Sequence, residues 1–310
     1  MTTSDPARDS FRVDPAYQPV VRAVGLDARG VFDDPRVKVW RKLADRENCT
    51  LDADADGQGE RVRLHVKRYP APPAAAASPA AAASPAAGPT PADDERDGHQ
   101  LLVDAGLPTA PLVAWGVLAD RRSFTVWADL AGYAPGDKRV ADGLAFDHLL
   151  DPTADLAAKL HAAGLHHRDL YLCHFMARVG PPEPAVATAA NVGPSDGAPP
   201  AGDPSVGSPV DVSLIDTARV RRLPTGLVGL FTRRRWVVKD LAQFWFSTTR
   251  LPITDAQRER WLARYCAARG DGTRPADLRA AIDRKVRSIA RHDARLNAKQ
   301  PGRNVSIPAG

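Results

Sequence analysis

Two stretches of this chain cannot build a hydrophobic core, and they fix which parts can. Residues 70–92 read PAPPAAAASPAAAASPAAGPTPA, and residues 180–209 are rich in Gly, Pro, Ala and Ser with almost no large apolar side chain. Alanine favours helix, but the recurring prolines remove donors and break each turn. Neither stretch buries enough apolar surface to offset its ordering entropy, so both are expected to be flexible loops. Loops this long are uncommon inside a compact domain, so they must leave the folded surface and return to it. The fold has to come from what lies before, between and after them.

In those remaining parts the hydrophobic period changes along the chain. RVRLHVKRY, Arg61 to Tyr69, alternates charged residues with Val, Leu and Val, the pattern of a half-buried strand. DDERDGHQLLVDAGL opens at Asp93 with acids suited to a helix start and closes at Gly106, a helix stop. APLVAWGVL and SFTVWADL read as two more strands around a turn at ADRRS. AFDHLLDPTADLAAKLHAAGL is helical, with Leu156, Leu160 and Ala163 three or four apart and Gly164 at its end. VSLIDTARVRR begins as an apolar strand ending at Asp216. RRRWVVKDLAQFWFSTTR and TDAQRERWLARYCAARG read as amphipathic helices, the second capped by Thr254. Arg274 to Asn297 reads as one more helix, rich in Arg and Lys.

Strands with one early helix, followed mostly by helices, imply an α+β fold of two lobes: a small β-rich N-lobe and a helical C-lobe. The expected division is a flexible N-terminus over 1–17, an N-lobe over 18–130 with the 70–92 insertion, a C-lobe over 131–300 with the 180–209 insertion, and a tail over 301–310.

Bulk properties narrow the function. The 310 residues hold 42 basic and 37 acidic side chains, a formal charge of +5, which suits anionic ligands without specifying one. Three cysteines, Cys49, Cys173 and Cys266, have no C-x-x-C spacing, which argues against a structural zinc or a disulfide framework and for a reducing compartment. The opening MTTSDPARDS lacks an apolar signal core, and no run of about 18 apolar residues spans a membrane. A cytoplasmic location is expected. No nucleic-acid-binding motif is present.

GLHHRDLYLCHF, residues 164–175, carries the chemistry. Phosphoryl transfer from ATP needs a lysine on the phosphates, a carboxylate to hold that lysine, an aspartate to orient the attacking hydroxyl, and ligands for Mg2+. His167-Arg168-Asp169-Leu170 matches the start of the H-R-D-L-x-x-x-N loop, which makes Asp169 the residue that orients the hydroxyl. His174 stands where that pattern has asparagine. Imidazole is a poor magnesium ligand, so His174 is a lower-quality ligand, a phosphate contact, or a sign of an accidental match. Lys67, on the alternating strand, is the candidate for the phosphates, with Arg63 and Arg68 as competitors; Arg68 points to the opposite face. Glu95 is the candidate partner for Lys67, with Asp93, Asp94 and Asp97 competing. Asp216, after the strand in LIDTA, is the second candidate magnesium ligand, although no Phe-Gly follows it. Gly57 and Gly59 offer only a degenerate phosphate loop. Arg168 is expected to order the loop, Tyr171 and Cys173 to pack, and His161 and His166 to lie on the surface or in loops.

HRDLYLCHF resembles the catalytic loop of the lipopolysaccharide kinase family, which phosphorylates heptose in the inner core, with His174 in the usual asparagine place. VKRY, AGLPTAPLVAWG, LIDTARVRR and RRRWVVKDLAQFWFS are similar too, over roughly Arg46 to Cys266. The resemblance implies a protein-kinase-like fold, ATP as donor and a sugar hydroxyl of the lipopolysaccharide core as acceptor. It implies Asp169 as base, Lys67 on the phosphates, and His174 and Asp216 near magnesium. It also implies that Asp240 braces the loop backbone. A kinase of the same fold with a protein or small-molecule acceptor, and an inactive pseudokinase that binds a partner, are the alternative readings. The arginines at 233–235 and the basic helix 274–295 would suit a phosphorylated glycolipid or peripheral contact with the inner membrane, or are plain solvated faces.

Overall fold

Alternation in RVRLHVKRY has a direct structural result. In a computed structural model describing residues 9–54, 61–72, 88–180 and 210–299, it becomes the strand β4 (Arg61–Tyr69). Leu64 and Val66 point into a core, while His65 and Lys67 face the other way. With β1 (Ser10–Val13), β2 (Lys38–Lys42), β3 (Glu47–Asp54), β5 (Leu112–Val117) and β6 (Ser123–Ala128) it forms an antiparallel sheet in the order β1-β5-β6-β4-β3-β2. Lys67 lies opposite Asn48 of β3 and Thr125 of β6. One face of the sheet buries Leu51, Leu64, Val66, Phe124 and Val126 against Val21 and Val24 of α1 (Gln18–Val24) and Val31 of α2 (Gly30–Asp33). Arg68 lies on this face and satisfies its guanidinium on the Val31 carbonyl at 2.6 Å.

Helix α3 (Pro91–Asp104) starts where sequence chemistry starts it. The Thr90 hydroxyl accepts from Asp93 N at 3.3 Å, and the Asp93 carboxylate accepts from Thr90 N at 2.8 Å, a reciprocal cap with Asp in the usual Glu place. The helix begins within the expected 70–92 insertion; residues 73–87 of that insertion, residues 181–209 of the other, and Gly57 and Gly59 lie outside the described residues.

The chain divides into two compact units: residues 1–103, 109–131 and 216–219, and residues 104–108, 132–215 and 220–310. The second unit contains α4 (Gly136–Ala141), α5 (Asp147–Ala162), α6 (Gly226–Thr248), α7 (Asp255–Arg269) and α8 (Pro275–Lys299). Its two small sheets join β7 (Ala134–Pro135), β9 (Phe175–Val179) and β10 (Val210–Leu214) in the order β10-β9-β7, and pair β8 (Leu165–His166) with β11 (Arg221–Arg222). Its core is aromatic: Phe244 of α6 stacks on Trp261 of α7 at 4.0 Å between ring centroids, and Phe175 meets Phe244 edge-on. Thr254 caps α7 through a full capping box with Gln257.

Some expectations need correction. Ser10–Val13 is a strand paired with β5, although residues 1–17 were expected to be flexible; its partner lies too far along the chain for local pattern to reveal. Helix α6 is not amphipathic along its length: every residue from Asp240 to Thr248 is buried, so this stretch is a core helix. The strand before Asp216 stops at Leu214. No helix among the described residues is long and apolar enough to cross a membrane.

Candidate functional site

The first unit assembles three of the expected residues around one ammonium. Lys67 Nζ lies 2.5 Å from Glu95 Oε1 and 3.1 Å from Asp216 Oδ1. Of the four acids that competed for Lys67, Glu95 is the one that reaches it. Asp93 is occupied with the helix cap, and Asp97 pairs with Arg96. Glu95 is almost fully buried, at 1 % exposure. A carboxylate there is tolerable only because donors surround it. Beyond Lys67, Tyr69 donates its hydroxyl to Glu95 Oε1 at 2.9 Å, and Thr217 donates to the Glu95 backbone carbonyl at 2.8 Å and to Oε2 at 3.3 Å.

Burial by itself would depress the Lys67 ammonium, but the carboxylates of Asp216 and Glu95 outweigh it and hold the group well above the ordinary lysine value. Burial also pushes the Tyr69 phenol up, so it stays a donor to Glu95. Two backbone features permit the grouping. Asp216 adopts a left-handed conformation, φ 63°, uncommon for a residue with a Cβ. Gly98, one turn after Glu95, lets α3 approach the Thr217 backbone: a Cβ there would lie 1.9 Å from the Thr217 carbonyl oxygen. Neither Gly98 nor Thr217 was singled out in the sequence. The signal available was a glycine three residues beyond the acid, inside a helix.

The second unit holds the His167–Leu170 loop. Helix α5 stops at Gly164, φ 72°, and the two residues of β8 lead into the loop. From there α6 acts as a template. The Asp240 carboxylate accepts from His167 N at 2.7 Å and from Arg168 N at 2.9 Å. Gln243 accepts from Leu170 N and donates to Asp169 Oδ1, each at 3.3 Å, and Ser247 accepts from Leu172 N at 2.9 Å. Lys239 donates to the Arg168 carbonyl at 2.7 Å. Asp240, Gln243 and Ser247 stand at i, i+3 and i+7, one face of a helix. Asp240 was anticipated; Gln243, Ser247 and Lys239 were not. Polar residues at helical spacing inside the apolar run DLAQFWFS were the readable trace.

His161 and His166 are not surface histidines: they are 1 % and 3 % exposed. His161 bridges the Tyr265 hydroxyl at 2.7 Å and Asp240 at 3.3 Å. Burial would raise the Asp240 carboxyl, but the His161 hydrogen bond and the loop N–H groups outweigh it and hold it low. Burial pushes the His166 imidazole down to about 4.

His174 Nδ1 lies 2.6 Å from the Asp169 carbonyl, which can only accept. The proton therefore sits on Nδ1, and in the neutral ring Nε2 carries the lone pair. Asp137, at the start of α4, is buried; burial raises its carboxyl, and the nearby His174 lowers it in part. Among the described residues no three His, Cys, Asp or Glu side chains are grouped to hold a metal. The Asp216 carboxylate is a hard oxygen donor that fits magnesium; the His174 nitrogen is a weaker match. Magnesium commonly completes its shell with phosphate oxygens and water.

Comparison with known proteins follows the same lines. The lipopolysaccharide kinase (Kdo/WaaP) family matches residues 85–187, a stretch that includes Glu95, Asp169 and His174. The lipopolysaccharide core heptose(I) kinase WaaP of Pseudomonas aeruginosa is 27% identical over 239 residues, covering 74% of this chain and 76% of its own. WaaP of Escherichia coli is 28% identical over 198 residues, covering 57% of this chain and 60% of its own. A solved structure of WaaP in complex with acyl carrier protein has a TM-score of 0.57 at 22% identity, covering 90% of this chain and 99% of that one. The α+β architecture is the kinase-like one of that structure. Over residues 85–187 this chain is similar to the lipopolysaccharide kinase (Kdo/WaaP) family, and beyond them to WaaP itself.

Proposed function

We propose that this protein transfers the γ-phosphoryl group of ATP to a heptose hydroxyl of the lipopolysaccharide inner core, working at the cytoplasmic side of the inner membrane as a peripheral enzyme. The observation that carries the reading is the Lys67 ammonium held by Glu95 at 2.5 Å and Asp216 at 3.1 Å. The relatives named as heptose(I) kinases supply the acceptor class.

In this reading Lys67 holds the α- and β-phosphates, and Glu95 fixes its position. Asp169, held by Gln243, orients the acceptor hydroxyl and takes its proton as the new O–P bond forms and the bond from Pγ to the ADP oxygen breaks. Asp216 and His174 are the residues that would hold magnesium. When bound, that ion neutralises phosphate charge. Asp240 has no chemical step; it sets the loop on which Asp169 sits.

The test is transfer from labelled ATP, with magnesium, to dephosphorylated core lipopolysaccharide. Wild type should label the core, and Asp169→Ala should abolish labelling while the fold and nucleotide binding persist. Labelling that survives the substitution removes Asp169 from the mechanism. ATP binding without labelling of the core by wild type points to another acceptor, and absence of both favours a pseudokinase.

A further inference from the structure

Between α6 and α8 the second unit holds a cavity of about 600 Å³. Six cations line it: Arg168 from the loop, Arg234, Arg235 and Lys239 from α6, and Arg284 and Lys285 from α8. No carboxylate is among its described lining residues. Two packed helices ordinarily meet through apolar side chains at i, i+3, i+4 and i+7. Along α8 the buried apolar positions are Leu278 and Ile282, whereas Ala281, Arg284, Lys285 and Ser288, on one face of the helix, line the cavity together with Val238 of α6.

The nearby acids have partners outside the cavity lining: Asp240 holds the loop N–H groups, Asp277 pairs with Arg274, and Asp283 pairs with Arg279. Asp277 also accepts from Arg234 through its backbone carbonyl, and its carboxylate lies near that guanidinium. The cations are also ordered. Trp236 carries the Arg168 guanidinium 5.0 Å and the Lys239 ammonium 5.7 Å from its ring centroid. Collecting like charges around a concavity raises the local concentration of anions there.

We propose that this cavity takes an acidic saccharide group of the acceptor, a sugar bearing carboxylate or phosphate, and so selects which core is phosphorylated. The proposal rests on the lipopolysaccharide-core reading above. Three observations favour a saccharide over a flat partner. The volume is that of a small-ligand site. Guanidinium forks match carboxylate and phosphate in two-point hydrogen bonds. Most directly, Arg168 is the residue before Asp169. Its left-handed backbone, φ 69°, lets its side chain line the cavity while the next residue is held by Gln243. In this proposal a group bound at Arg168, one residue along the loop from Asp169, is part of the same acceptor molecule.

The experiment compares wild type with Arg284→Gln/Lys285→Gln, neither residue being part of the transfer machinery. Core oligosaccharide released from its lipid is used both for calorimetric titration without ATP and for kinetics. In the double variant, binding should weaken about tenfold or more, and KM for the oligosaccharide should rise to match, with kcat and KM for ATP unchanged. Carboxyl-reduced and phosphatase-treated oligosaccharides then show which acidic group the wild-type cavity reads. Equal binding by wild type and variant overturns the proposal. So does loss of binding only to phosphatidylglycerol vesicles, which would make the cavity a membrane contact, or only to acyl carrier protein, which would make it a protein-docking site. Binding of the oligosaccharide by wild type, lost in the variant, but without phosphate transfer, sinks the kinase reading and leaves the cavity assigned to an acidic saccharide.

Discussion

Gln243 holds the Asp169 side chain and the next backbone amide at once: its Nε2 donates to Asp169 Oδ1, and its Oε1 accepts from Leu170 N. One amide thus ties the orientation of a carboxylate to the position of the loop that bears it. Gln243→Leu should lower kcat about tenfold or more through misorientation, with KM for ATP unchanged. Gln243→Glu should place a second carboxylate against Asp169 and move the acid limb of the pH–rate profile upward. Rates and profiles indistinguishable from wild type would mean that Gln243 only packs.

Lys67 and Glu95 separate stability from chemistry. Lys67→Met leaves Glu95 buried with fewer donors and should cost about 3 kcal/mol of stability, read from denaturant unfolding. Lys67→Met/Glu95→Gln removes both charges and should recover much of that loss while remaining inactive. A double variant no more stable than the single one would show that the pair is not coupled.

At Gly98 even one methyl group should be felt. The Cβ of Gly98→Ala would collide with the Thr217 carbonyl, so α3 must withdraw from the Asp216–Thr217 segment. We expect a loss of about 1–3 kcal/mol and a raised KM for ATP, since the Thr217 bonds to Glu95 stretch first. Unchanged nucleotide affinity would mean that the close approach does not position Glu95.

Acid should weaken the fold through His166. Its imidazole goes from an ordinary 6.5 to about 4 on folding, because burial disfavours the charged ring and Arg168 and Lys239 add repulsion that Asp240 offsets in part. Between those values the unfolded chain binds more protons, so stability rises with pH from about 4 to 6.5 and is lost on acidification across the same window. The full effect is about 3 kcal/mol. Thermal unfolding of His166→Gln across that range should be flatter than wild type. Parallel curves would assign the acid sensitivity to another group.

Period and parity made much of this readable. Strict alternation over Arg61–Tyr69 puts Lys67 on the face opposite Leu64 and Val66, so the lysine follows from sequence. Glu95 does not: choosing among four acids requires the phase of α3 relative to β4, which only packing sets. The burial of His161 was hidden for a similar reason, because its partners Asp240 and Tyr265 are remote in sequence. Asp240 was legible by resemblance, whereas Gln243 and Ser247 became meaningful only with the Asp240–Thr248 stretch of α6 buried around its whole circumference.

The membership of Asp216–Arg219 in the first unit has a consequence for synthesis. A ribosome releases the six strands and α3 long before these four residues exist. Until they emerge, Glu95 has no Thr217 to donate to it, and Lys67 has one carboxylate where the finished protein has two. The Lys67–Glu95 pair therefore waits, incomplete, for a clasp made late in translation. A nascent chain stalled at residue 131 carries the whole sheet without that clasp.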